Sequence, residues 1–114
     1  MKPRIETISN RAMAMLVHEI WEDVGDDGSV LPGVCLAGPD GDAFRKHLHT
    51  DARCADRFEA GSHFEVMTIY YRHYGWGDYA SSFASDRSPY PEDWAIRQST
   101  YLTSEQIKNN LASL

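Results

Sequence analysis

Hydrophobic spacing along the chain predicts a short series of elements. Met13, Leu16, Val17, Ile20, Trp21 and Val24 recur with helical spacing behind possible caps at Thr7, Ser9 and Asn10, so residues 10–24 read locally as a helix. Asp26-Asp27-Gly28 is a strong turn signal, and Val30–Leu36 reads as a strand. A second reading pairs a strand near Met15–Glu22 with Val30–Leu36 as a hairpin. The hairpin is preferred, because strand candidates are few and a two-stranded sheet is marginal in water.

Gly38-Pro39-Asp40-Gly41-Asp42 reads as a turn, with Asp40 or Asp42 as N-cap of a helix ending near His49 whose core residues are Phe44 and Leu48. Arg53–Phe58 follows as a third strand. If it neighbours Val30–Leu36, the two run parallel through a right-handed crossover. Ser62 and Glu65 form a capping box opening a helix over His63–Tyr74, with Phe64, Met67, Tyr71 and Tyr74 on its core face. Val66, Ile69 and Tyr70 flank that face, so the helix reads as central. Gly75-Trp76-Gly77 ends it. Pro91 starts another helix over residues 92–99, and Thr103 with Gln106 suggests a separate C-terminal helix edged by Ile107, Leu111 and Leu114. The expected fold class is α+β: a small mixed sheet of about three strands, packed by a central helix and shorter ones. The alternative is a mostly helical chain with a minimal sheet.

Length fits one domain over residues 1–114, with 1–12 and 103–114 as more variable termini. The longest apolar run, Ala12–Val17, is far too short to span a bilayer, and no signal or transit peptide is recognisable. Net charge is −6, with each half contributing −3. Without a basic face, nucleic-acid binding is not expected, and a basic protein is the natural electrostatic partner. Cys35 and Cys54 form no CxxC motif and read as reduced core thiols in a cytoplasmic protein.

Candidate chemistry is sparse. Asp23–Val34 has a faint calcium-loop look, but Gly25 and Val34 stand where ligands belong. Gly61-Ser62-His63 resembles a nucleophile elbow only until Phe64, where a small residue is required. Asp40 and Asp42 would repel a phosphate from the glycine turn. His47, His49 and Cys54 could supply three metal ligands, without a supporting motif, so no metal or other cofactor is expected. His63 and Glu65 could act as a base pair in a small enzyme, such as a hydrolase. Trp76, Tyr79, Tyr90 and Trp94, with Phe83, form an aromatic region that either closes the core or serves as a partner contact. The preferred function is a non-catalytic binding module, an adaptor or neutraliser of a basic partner.

Several segments carry a resemblance: Phe58–Tyr71 (FEAGSHFEVMTIYY), Cys35–Asp42 (CLAGPDGD), Gly75-Trp76-Gly77 and Pro89–Trp94 (PYPEDW). Together they resemble a family of small bacterial proteins with no assigned chemistry. The resemblance spans most of residues 19–98 and implies a bacterial, cytoplasmic, single-domain protein, but no activity.

Overall fold

The computed structural model describes residues 15–112. The hairpin forms. Strand β1 (Leu16–Val24) pairs antiparallel with β2 (Val30–Leu36), and Gly28, at φ 84°, closes the turn with its N–H on the Gly25 carbonyl. Strand β3 (Arg53–Ala60) pairs antiparallel with the other side of β1, giving the order β2-β1-β3. The fold is thus α+β as expected, but the sheet is antiparallel throughout rather than mixed. The intended neighbours β2 and β3 do run in the same direction, but β1 lies between them. Opposite Ile20 and Trp21, β3 carries a bulge at Ala55, between Cys54 and Asp56.

The segment joining β2 to β3 lies over one sheet face, the one bearing Glu19, Trp21 and Asp23. It holds a 3₁₀ turn (Pro39–Gly41) and a single helical turn, α1 (Asp42–Arg45). The expected helix to His49 does not form, and neither Asp40 nor Asp42 caps it. Asp42 instead binds Arg45, and Asp40 binds Arg97. Arg45 explains the early stop. Its guanidinium donates to the carbonyls of Leu36 and Gly38 and to Glu19, tying the turn to the sheet. Gly41 permits this closeness, since a Cβ there would lie 1.9 Å from the Leu36 carbonyl oxygen.

Helix α2 (His63–Tyr74) has the predicted bounds. Ser62 Oγ accepts from Glu65 N–H at 3.2 Å, while the Glu65 carboxylate accepts from Gly61 N–H at 2.6 Å. The box is therefore closed one residue further out than the usual reciprocal pair. Gly75 ends the helix in the left-handed conformation, φ 69°. Its buried residues are Val66 and Tyr70, not the predicted Phe64, Met67, Tyr71 and Tyr74. The sheet lies on one side of the helix only, so the predicted face is left half-buried under loop aromatics.

Helix α3 (Glu92–Ala112) is continuous through Thr103 and Gln106, so the second capping box is not used. No Gly or Pro interrupts residues 92–112, and mid-helix Ser and Thr are tolerated. Gln98 anchors α3. Its Oε1 accepts from Val17 N–H at 2.7 Å, and its Nε2 donates to the carbonyls of Val17 (2.8 Å) and Ala37 (3.1 Å). The amide thus continues the β1 ladder where β2 ends. The thiols are free, but Cys54 is exposed and Cys35 half-buried, so the expectation of two core thiols fails. The expected termini at 1–12, and Leu114, lie outside the described residues.

Replacing Gln98 by Leu is expected to leave the Val17 N–H without its partner, while the Val17 carbonyl keeps the Ala37 N–H, and to lower stability by about 1–3 kcal/mol in urea unfolding. Ser62→Ala is expected to cost about 0.5–2 kcal/mol by the same measurement, through loss of the cap.

Candidate functional site

Strand β1 presents polar side chains to both faces of the sheet. On one face Glu19 is buried and accepts from Trp21 Nε1 (2.9 Å), Arg45 Nη1 (2.9 Å) and Arg57 Nη2 (3.0 Å). Asp23 accepts from the His49 backbone N–H and pairs with its ring Nδ1 at 3.0 Å. Burial opposes ionisation of Asp23, but the N–H groups of His49 and Val24 and the His49 ring outweigh it and hold its pKa low. On the other face Glu22 accepts from the Tyr74 hydroxyl at 2.7 Å and from Arg53. The Tyr74 bond is the main reason the Glu22 carboxyl titrates below its usual range. Every one of these groups is answered within the fold.

His18 lies on the same face as Glu22, stacked between Phe58 and Tyr90. Its Nδ1 is 3.0 Å from the Leu16 carbonyl, which can only accept, so Nδ1 carries the proton. Nε2 then accepts from the Tyr90 hydroxyl at 3.2 Å. Burial pushes the His18 pKa down to about 4 and the Tyr90 pKa up to about 12.

The proposed catalytic pair does not meet. The Glu65 carboxylate caps α2 through Gly61, while His63 pairs through Nδ1 with Asp86, which also accepts from the Tyr79 hydroxyl at 2.9 Å. Burial opposes ionisation of Asp86, but the bonds from His63, Ser81 and Tyr79 hold its carboxyl below the usual range. His63 remains largely exposed. A groove of about 540 Å³ lies between α3 and the start of β1, with Met15, Val17, Glu59, Gln98 and Thr103 among its walls. Nor do His47, His49 and Cys54 converge: among the described residues, no three His, Cys, Asp or Glu side chains are placed to hold a metal ion.

The four predicted contact aromatics separate into two clusters. Trp76 stacks on Tyr74, and Tyr79 packs against Phe64 and Tyr71 on α2. Tyr90 and Trp94 stack on each other beside His18. Trp76 is 50% exposed and Trp94 40%, while Tyr79 and Tyr90 are half-buried and hydrogen-bonded. The region therefore partly closes the core and partly faces outward.

A different surface gathers where β1 meets β2. Val24 and Val30 are cross-strand partners on the α2 side of the sheet, with Leu31 on the opposite face, and all three are exposed. Trp76 belongs to the same end, since it stacks on Tyr74, whose hydroxyl reaches Glu22. Asp26 and Asp27 form the turn, and Asp51 lies two residues before Arg53, the partner of Glu22. Among the described residues, none of these three aspartates has a Lys or Arg partner. Val24, Val30 and Leu31 escaped the sequence reading because apolar residues in such segments look like core, and Asp51 because it reads as an ordinary loop acid. The acidic turn was visible, but only as a turn.

Set against known protein families, curated proteins and solved structures, the chain matches none. No helix among the described residues is long and apolar enough to cross a membrane.

The His18 environment sets a pH dependence. The folded state holds His18 neutral down to about pH 4, whereas the unfolded chain protonates it near pH 6.5. As pH falls through that window the unfolded state takes up the proton first, so stability falls, levelling off below the folded pKa. The expected loss is about 2–3 kcal/mol between pH 7 and pH 4. Urea unfolding should show it in the native protein, and His18→Phe should remove that component of the slope.

Proposed function

We propose that the protein is a non-catalytic binding module whose contact surface is the hairpin end of the sheet and whose partner is a basic, amphipathic protein segment. One observation carries this reading: Val24, Val30, Leu31 and Trp76 are exposed at one end of the sheet, beside Asp26, Asp27 and Asp51, which pair with no Lys or Arg among the described residues. Single exposed apolar residues need no explanation, but a group of them rimmed by polar residues marks a contact site. Of the nearby basic side chains, Arg53 is bound to Glu22 and His49 to Asp23.

The sheet edges support contact through side chains rather than strand addition. Pro32 lies in the edge strand β2, and the other edge, β3, is bulged and carries Arg53, Asp56, Arg57 and Glu59. These features discourage pairing with a further strand. A catalytic reading has less support. His63 and Glu65 are engaged with different partners, and neither is among the walls of the groove beside α3.

Selection from a random peptide display library tests the proposal. Lys/Arg-rich amphipathic peptides should be enriched, with binding that weakens as salt rises. Trp76→Ala should weaken it about tenfold, or about 1.4 kcal/mol, and Asp26→Asn with Asp27→Asn should flatten the salt dependence. Enrichment of acidic peptides, or binding indifferent to both changes, would overturn it.

A further inference from the structure

We propose that the outward face of α3 is a self-association surface that pairs two copies of this chain with their α3 helices antiparallel. The proposal concerns a different surface from the hairpin end and does not rest on the reading given there. Helix α3 has two faces. Gln98, the one buried residue of the helix, with half-buried Ala95 and Leu102, faces the sheet. At about 100° per residue, Ile96, Thr100, Thr103, Ile107 and Leu111 fall within about 80° of one another on the opposite side. Ile96 is 59% exposed, Ile107 54% and Leu111 63%. Thr100 donates its hydroxyl to the Ile96 carbonyl at 2.9 Å, so its polar group is satisfied within the helix and its methyl is left for contact.

The order of residues in this stripe suits a two-fold axis. With two helices antiparallel and centred near Thr103, Ile96 meets Leu111 of the partner subunit, and Thr100 meets Ile107 of the partner subunit. Large side chains then face large at the ends, and small threonines lie where the helices cross. Such self-complementarity is what an isologous interface requires. Charge favours the same occupant. From Trp94 to Leu111 the charged residues are Arg97, bound to Asp40, and Lys108, bound to Glu105. Within the Ile96–Leu111 overlap the stripe itself carries no charge to repel a second copy; the carboxylates of Glu92 and Asp93 lie on the same side of the helix, about one turn before Ile96.

The overlap from Ile96 to Leu111 is about 22 Å long. The groove beside the stripe has Ile96, Thr100 and Thr103 on its rim and can take further side chains of the second copy. A footprint of this size lies at the low end of specific interfaces, so association is expected at micromolar concentrations.

Sedimentation equilibrium from about 1 to about 300 µM should show the mass rising from 12.9 kDa towards twice that value. Ile107→Lys with Leu111→Lys keeps good helix formers near a helix C-terminus, where positive charge is favourable. It should leave the circular dichroism unchanged and weaken dimerisation at least tenfold. In a Cys54→Ser background, Thr103→Cys should form a covalent dimer on mild oxidation, and Glu105→Cys, on the far side of the helix, should not. A chain monomeric throughout, a dimer indifferent to the two lysines, or equal cross-linking at both positions would each overturn the proposal.

Discussion

The fold depends on one constraint: the central strand of a three-stranded sheet is lined with buried polar side chains. β1 carries His18, Glu19, Glu22 and Asp23 within nine residues, and three of the four are buried. A polar group removed from water without a partner costs more than most single contacts gain. Each of these side chains must therefore be met by another element. Arg45 of α1 and Arg57 of β3 meet Glu19, His49 meets Asp23, Tyr74 of α2 and Arg53 meet Glu22, and Tyr90 meets His18. Gln98 of α3 does the same for the β1 backbone. Among the described residues, no buried side-chain nitrogen or oxygen is left without a partner.

These ties compensate in specificity for a small apolar core. The buried apolar residues of the described chain are Leu16, Ile20, Ala37, Ala60, Val66 and Tyr70, of which only Leu16 and Ile20 are large and fully buried. Apolar burial is non-directional and would allow the short elements several arrangements. A bidentate amide on Val17, or a carboxylate held by two arginines and an indole, allows few. The same economy leaves apolar side chains on the hairpin end and on α3 without cover. Both are surfaces that association would complete.

Electrostatics divides the molecule in the same way. Carboxylates in the middle of the sheet are matched by arginines and histidines, so they contribute little to the outward field. The net −6 is expressed instead by unmatched acids such as Asp26, Asp27 and Asp51. The α3 stripe lies away from this field and is nearly neutral. An acidic apolar surface and a neutral apolar one suit different occupants, which is why a basic segment is assigned to the first and a second copy to the second.

Local signals determined much of the secondary structure. The Ser62–Glu65 box and Gly75 set both ends of α2, because capping and left-handed geometry act within a few residues. Asp26-Asp27-Gly28 set the hairpin turn for the same reason. The sequence also marked Trp76, Tyr79, Tyr90 and Trp94 as one aromatic region, with core closure and partner contact both open. Other features required the assembled fold. Leu16–Val24 has a locally helical pattern and is a strand; the hairpin reading anticipated this from the scarcity of strand candidates, not from any local window. Asp42 looked like a cap and became the partner of Arg45. His63 found Asp86, 23 residues away, rather than its neighbour Glu65. Gln98, an ordinary helical glutamine in the sequence, became the amide that completes the β1 ladder 81 residues earlier. The central strand, the His63–Asp86 pair and the Gln98 amide are long-range choices among partners. Only the tertiary structure brings those groups within reach.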